Sequence, residues 1–120
     1  MFIVKNRAVG DGTRVTMKHT TLVKDTDEGK PIKISAANTV VLASADDPFV
    51  GIVEAIESGV CTVNFGRCVR TLKYSSTAPG LNSALLECDG AGGVRVDGTN
   101  GQPFTVLEVN TTDTEVTLAF

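Results

Sequence analysis

His19 is the only histidine among 120 residues, so any chemistry that needs an imidazole depends on it. A hydrolytic triad would place it beside a nucleophile and a carboxylate. Serine is plentiful, but no serine stands in the glycine pattern that exposes a nucleophile at a sharp turn. The residues around it, Lys18-His19-Thr20-Thr21, are polar and indicate an exposed, structural histidine. We therefore predict that the chain is not an enzyme.

Cys61, Cys68 and Cys88 are the next candidates, for a metal site or a thiol nucleophile. They have no C-x-x-C spacing, and one histidine cannot complete a usual zinc set. We interpret all three as small buried hydrophobic residues. The acidic stretch 25–29 resembles the start of a calcium loop, but the twelfth position, which should be glutamate, is Ala36. The sequence predicts an acidic turn there, with no metal and no cofactor.

Nucleic-acid binding would need a basic groove lined with stacking aromatic side chains. The net charge is −3, and Tyr74 and Phe2 are the only aromatic residues that we expect at the surface. Arg67, Arg70 and Lys73 form a weak basic cluster, because Arg70 and Lys73 fall on opposite faces of a strand. We predict no nucleic-acid partner.

Short stretches of period two, separated by turn residues, predict β-strands along most of the chain. Val15 and Met17 share one face of residues 14–18, and tight-turn pairs such as Ser58-Gly59 separate the strands. Roughly ten short strands predict an all-β fold, a small β-barrel or β-sandwich with at most one short helix. That helix is predicted over Leu81 to Glu87, capped by Asn82 or Ser83. No internal repeat is apparent.

A chain of 120 residues is long enough for one domain with its own core. We predict an N-terminal arm or edge strand over residues 1–12 and a single β-barrel or sandwich domain over 13–120. No stretch approaches the roughly 20 apolar residues of a membrane span, so no membrane partner is expected. The apolar run at the N-terminus is too short for a signal peptide, which favours a protein made in the cytoplasm.

The charges are unevenly placed along the chain. Residues 1–35 hold seven Lys or Arg and four Asp or Glu, whereas residues 36–120 hold four and ten. A basic N-terminal third followed by an acidic remainder of the chain is consistent with head-to-tail contact between copies or with an acidic partner. Solvated surface charge placed by chance explains it equally well.

Several stretches together resemble the small head decoration, or cement, proteins of tailed bacteriophages. They are Glu28-Gly29-Lys30-Pro31-Ile32, the block from Asp46 to Ala55 with the following Gly59-Val60-Cys61-Thr62-Val63, and Thr77-Ala78-Pro79-Gly80-Leu81 with Gly90-Ala91-Gly92-Gly93-Val94. The likeness is a pattern of strands and glycines that runs in order over residues 21–120. The first twenty residues have no counterpart in it.

The resemblance implies a non-enzymatic structural protein of the virion, made in the host cytoplasm and bound to the outer surface of the expanded capsid. It implies that the major capsid protein is the partner, that the protein associates with itself as a homotrimer, and that it clamps neighbouring capsid subunits against the pressure of the packaged DNA. The alternative is a small ligand-binding or lectin-like β-module. An enzyme with an unrecognised site ranks below both.

The predicted contact elements are the N-terminal arm and one set of loops, and this placement comes from the residues rather than from the resemblance. The arm joins an apolar tip to basic residues, and exposed apolar residues of that kind mark interaction sites. The predicted interface residues are Met1, Phe2, Ile3, Val4, Lys5 and Arg7. An edge strand of the same barrel would explain the apolar tip equally well.

Overall fold

A computed structural model describes residues 14–66 and 68–120, which form ten β-strands and no helix. The strands are β1 (Arg14–Lys18), β2 (Pro31–Ala36), β3 (Thr39–Leu42), β4 (Gly51–Ile56), β5 (Val60–Asn64), β6 (Val69–Ser75), β7 (Asn82–Cys88), β8 (Val94–Val96), β9 (Gln102–Asn110) and β10 (Glu115–Ala119). The predicted all-β fold of roughly ten short strands is confirmed. Within these two ranges, no helix has the length and apolar character needed to cross a bilayer.

The backbone contacts divide the strands between two compact units. Of the described residues, unit 1 comprises 14–42, 50–66 and 68, with β1 to β5, and unit 2 comprises 43–49 and 69–120, with β6 to β10. Each unit closes into a five-stranded barrel, in the order β1-β3-β2-β4-β5 in unit 1 and β10-β6-β8-β7-β9 in unit 2. The single domain expected over 13–120 stays a prediction.

The core of unit 1 is built from side chains that alternate along its strands. On β1, for example, Met17 is buried, whereas Thr16 and Lys18 on either side of it are exposed. All five strands and the loop after β1 contribute to one apolar cluster. Its members are Met17, Leu22, Ile32, Val40, Val53, Ile56, Cys61 and Val63. Because the inward side chains form this cluster, only the outward side chains remain available for contacts outside the barrel.

The strands of unit 2 have the same inward alternation. The buried apolar residues are Leu72, Tyr74, Leu86, Cys88, Val94, Phe104, Val106, Val116 and Leu118. Phe49 adds an aromatic cluster, with its ring edge-to-face against Phe104 at 5.3 Å and against Phe120 at 4.9 Å between centroids. The expectation that Tyr74 is exposed is wrong: it lies on the inward face of β6, two residues after Leu72, and is 8% exposed.

The two barrels share one connectivity. In each, the first and third strands pair in parallel, and the second pairs antiparallel with the third and fourth. The fifth pairs antiparallel with the fourth and the first. The structure therefore contains a repeat that the sequence does not reveal, and every strand of unit 1 has an equivalent five strands later in unit 2.

The equivalence extends to an irregularity in the pairing. On β4 the register with β5 skips Glu54, and on β9 the register with β10 skips Leu107. An extra residue of this kind is a β-bulge, which re-aims side chains and increases the local twist of a strand. Both bulges lie in the fourth strand of a unit, opposite the fifth.

The short helix predicted over Leu81 to Glu87 is wrong, since these residues lead into and form β7. Ala84, Leu85 and Leu86 favour a helix by intrinsic propensity. However, β7 pairs with β9 on one side and with β8 on the other, and these long-range hydrogen bonds decide the conformation. Leu86 is accordingly fully buried and Leu85 is exposed, which is the alternation of a strand.

Candidate functional site

The outward side chains of four neighbouring strands of unit 2 form the candidate site, which we call the unit 2 face. Because successive residues of a strand point to opposite sides, the residues between the buried ones share this surface. They are Val69 and Thr71 of β6, Ser83 and Leu85 of β7, Pro103, Thr105 and Leu107 of β9, and Thr117 and Ala119 of β10. These nine carry no charge, whereas Lys73 of β6, Glu108 of β9 and Glu115 of β10 point to the same side and are charged.

The strand register brings these side chains together across the sheet. Ala119 pairs with Val69 on one side and with Thr105 on the other, so three strands meet in one row. On the fourth strand, β7, Leu85 pairs directly with Pro103 of β9. Side chains opposite each other in neighbouring strands lie within about 5.5 Å, so the unit 2 face is continuous.

Much of the unit 2 face is apolar and exposed. Leu107 is 52% exposed and Val69 is 51% exposed. The hydroxyls of Thr71 and Thr117 bond each other across the strands at 2.9 Å, so these polar groups already have partners. Covering the face with another uncharged surface would therefore remove apolar area from water and leave few polar groups unsatisfied.

Charged residues border the unit 2 face at the end nearest the β9–β10 turn. Glu108 is exposed there, and Lys73 pairs with Glu115 at 3.7 Å. The Lys73 ammonium also donates to the carbonyl oxygen of Asp113 at 2.9 Å. Arg70 and Lys73 lie at alternate, inward and outward, positions of β6, as predicted. An apolar centre with a charged edge is the usual anatomy of a protein interface.

The equivalent surface of unit 1 differs in its chemistry. There the Arg14 guanidinium donates to a Glu54 carboxylate oxygen at 2.6 Å, and the Asn64 amide donates to the other oxygen at 3.1 Å. Lys18 lies on the same side of β1 as Arg14 and is exposed. At the bulge of the fourth strand, the shared barrel thus holds a paired carboxylate in unit 1 and an exposed leucine in unit 2.

His19 contradicts its prediction, because it is buried and only 7% exposed. Its Nε2 donates to the carbonyl oxygen of Glu57 at 2.6 Å, and its backbone N–H donates to Gly59 at 3.2 Å. The polar neighbours in sequence gave no sign of these contacts, which come from about forty residues away. The imidazole is held by backbone rather than by a nucleophile and a carboxylate, so the arrangement differs from that of a triad.

The cysteines behave as small apolar side chains. Cys61 and Cys88 are buried, as predicted, and Cys68 is partly buried. Burial raises the pKa of all three thiols, and it raises that of Cys88 to about 12 with help from nearby carboxylates. A thiol that stays protonated at neutral pH is a poor nucleophile and a poor metal ligand.

A buried carboxyl group in unit 2 forms the other polar cluster. Glu87 accepts from Arg95 at 2.7 Å, and Arg95 also pairs with Asp46. Burial raises the pKa of Glu87, and Asp97 beside it raises it further. The backbone N–H groups of Asn100 and Thr99 hold the pKa of Asp97 down. With its side chain 3% exposed, Glu87 cannot reach a substrate, and the cluster fixes the turn after β8.

The remaining sequence candidates are the arm and the acidic turn. The predicted interface residues Met1, Phe2, Ile3, Val4, Lys5 and Arg7 lie outside the described residues, so their role stays a prediction. In the turn, the Asp27 carboxylate accepts from Val23 N–H at 2.8 Å and from the Lys30 ammonium at 3.2 Å. Across residues 14–66 and 68–120, no group of three His, Cys, Asp or Glu is placed to hold a metal.

No family model matches the chain, and no curated protein matches it either.

Proposed function

We propose that this protein is a non-enzymatic decoration, or cement, protein that binds the outer surface of the expanded head of a tailed bacteriophage. Its partners are the major capsid protein and further copies of itself, arranged as a homotrimer. The protein clamps neighbouring capsid subunits against the internal pressure of packaged DNA. Two things support this: the sequence resemblance over residues 21–120 and the chemistry of the unit 2 face.

The unit 2 face is the observation that carries the proposal. Nine outward side chains on its four strands carry no charge, and the charged ones, Lys73, Glu108 and Glu115, lie together at the end nearest the β9–β10 turn. An exposed apolar surface of this kind on a small protein marks a protein interface. An uncharged patch binds best to a surface that is also uncharged and apolar at the contact. We therefore expect such a surface on the capsid partner.

Binding of this kind would stabilise the expanded capsid. A ligand that binds only the expanded lattice stabilises that lattice by mass action. Many copies bind one symmetric shell, and contacts within a bound homotrimer multiply modest single affinities into strong attachment. The face buries apolar area rather than ion pairs, so we expect attachment to depend little on salt.

The test is sedimentation of the purified protein with two targets, expanded undecorated heads and unexpanded precursor heads. We expect saturable binding to the expanded heads alone, and little change when ionic strength rises. Equal binding to both targets contradicts selection of the expanded state. Binding to neither contradicts the decoration function and favours the ligand-binding alternative.

A further inference from the structure

The turn between β8 and β9 contains Asn100-Gly101, the only asparagine of the chain that a glycine follows. The other five asparagines precede arginine, threonine, phenylalanine or serine. Asparagine is a chemically labile residue. A following glycine makes it more reactive, because the missing Cβ leaves the glycine nitrogen sterically accessible. Asn100 is exposed, so water reaches its carboxamide group. This dipeptide is therefore the position in the chain where deamidation is chemically easiest.

Deamidation at this dipeptide needs no reagent other than water. The backbone nitrogen of Gly101 attacks the side-chain carbonyl carbon (Cγ) of Asn100, and the new C–N bond closes a five-membered succinimide ring. The bond from Cγ to the side-chain nitrogen breaks, and that nitrogen leaves as ammonia with the proton of the Gly101 N–H group. Water then opens the ring at either carbonyl. The product is aspartate or isoaspartate, in which the backbone runs through the former side chain.

The fold holds the attacking nitrogen in a hydrogen bond. The Gly101 N–H donates to the carbonyl oxygen of Asp97 at 2.9 Å. The carboxylate of the same aspartate accepts from the N–H of Thr99 at 2.8 Å and from the N–H of Asn100 at 3.0 Å. A nitrogen that donates its hydrogen to one residue is not free to lose it and bond to another. Three hydrogen bonds to Asp97 therefore keep the turn in an unreactive form.

Tight packing against β7 holds the turn in the same place. The Asp97 N–H donates to the carbonyl oxygen of Leu85 at 3.0 Å. A Cβ at Gly101 would overlap the Asp97 carbonyl oxygen and lie 2.7 Å from the carbonyl carbon of Leu85. The reaction therefore requires a local opening in which the turn leaves β7. Isoaspartate adds one backbone atom between residues 100 and 101, and these contacts leave no room for it.

We propose that Asn100 is a deamidation site whose reaction is controlled by the opening of the 97–101 turn. The residue is protected while Asp97 binds the three N–H groups, and it reacts when the turn opens. Both products add a carboxylate to a residue whose N–H bonds the Asp97 carboxylate, and isoaspartate also prevents the turn from closing again. The modification thus converts a transient opening into a permanent one. This inference is independent of the unit 2 face and goes beyond the proposed capsid function.

The test compares deamidation of the parent protein when folded and when unfolded in urea, in the same mildly alkaline buffer. Peptide mass spectrometry with fragmentation measures the conversion at Asn100 and separates it from Asn110. We expect the folded protein to react at least about tenfold more slowly, because only the opened fraction is reactive. Equal rates in the two states, or no conversion at Asn100 even in urea, overturn the proposal.

A variant pair tests whether Asp97 provides the protection. Asp97→Ala removes the carboxylate that accepts from Thr99 and Asn100, and it should raise the rate in the folded protein about tenfold. Asp113→Ala removes an exposed aspartate from the β9–β10 turn and should react as the parent does. A folded Asp97 variant that reacts no faster than the parent overturns the proposal. If circular dichroism shows that this variant is unfolded, the comparison of the parent in its two states decides.

Discussion

Glu54 and Leu107 occupy equivalent positions in the two barrels: each is the extra residue that the fourth strand carries opposite the fifth. In unit 1 the bulge directs a carboxylate to Arg14 at 2.6 Å and to Asn64 at 3.1 Å. In unit 2 it leaves a leucine side chain 52% exposed, between the uncharged residues of the face and Glu108 at its edge. The same β-bulge thus places a side chain that bonds to its own barrel in unit 1 and an exposed apolar side chain in unit 2.

Leu107→Glu should abolish most head binding. A carboxylate at position 107 would have to be desolvated on attachment, and an interface residue that contributes strongly accounts for about 2 kcal/mol or more. We expect roughly thirtyfold weaker co-sedimentation with expanded heads and an unchanged Tm, since Leu107 is exposed. Val60→Glu, at an exposed valine of β5 in unit 1, is the matched control and should bind normally. Normal attachment of the Leu107 variant would exclude this face from the contact.

Glu54→Leu should destabilise the protein by about 1–3 kcal/mol, because it removes the acceptor of a fully buried amide at Asn64. The control is Glu57→Leu, which removes only an exposed ion pair and should change the free energy of unfolding by less than about 0.5 kcal/mol. Urea unfolding of both variants measures the difference. Equal stabilities would mean that the Glu54 contacts contribute nothing net.

Gly101→Ala and Gly98→Ala should differ sharply although they lie in one turn. A Cβ at Gly101 would overlap the carbonyl oxygen of Asp97 and lie 2.7 Å from the carbonyl carbon of Leu85, whereas a Cβ at Gly98 meets nothing within 4 Å. We expect a loss of about 1–3 kcal/mol for the first. The second should stay within about 0.5 kcal/mol of the parent. Thermal unfolding distinguishes them, and a stable Gly101 variant would mean that the turn can shift.

The three thiols should react with iodoacetamide in the order of their exposure and acidity. Cys68 is partly buried, whereas Cys88 is buried with a pKa of about 12 and is therefore ionised in about one molecule in ten thousand at pH 8. The thiolate is the reactive form. The labelling rate of each cysteine should therefore increase about tenfold for each unit by which the pH is raised, as long as the pH stays below the pKa of that thiol. Peptide mass spectrometry measures labelling under native conditions. Cys88 labelled as fast as Cys68 contradicts this order.

Deletion of residues 1–9 tests the predicted N-terminal arm. If the arm contacts the capsid, the shortened protein should keep the parent circular dichroism spectrum and Tm but lose binding to expanded heads. A shortened protein that binds normally removes the arm from the interface. A shortened protein that unfolds assigns those residues to the fold instead.

Local patterns in the sequence predict the strands well where one face is buried. Val15 and Met17 alternate with polar residues, and the strand Arg14–Lys18 ends at Lys18 as expected. The pattern fails over 81–87, where helix-favouring residues are held extended by hydrogen bonds to strands on both sides. A short stretch of sequence does not specify which distant strand it pairs with, so the repeated connectivity could not be predicted either.

The candidate site was less predictable than the fold. The nine residues of the unit 2 face come from four strands and become neighbours only through the register, for example where Ala119 meets Val69. His19 is similar: its polar neighbours suggest exposure, but the carbonyl group of Glu57 holds it inside. Both depend on contacts between residues far apart in the sequence, whereas composition and periodicity report only near neighbours.

The closure of each barrel has a consequence for the behaviour of the protein at high concentration. An open sheet ends in a strand whose backbone N–H and C=O groups can template another chain, and this is a common route to fibrils. Within the described strands, each unit pairs its ends with each other, through β1 with β5 and through β9 with β10. The protein can then associate through its side-chain surfaces, because the backbone groups of these strands are already paired and cannot extend a sheet into another chain.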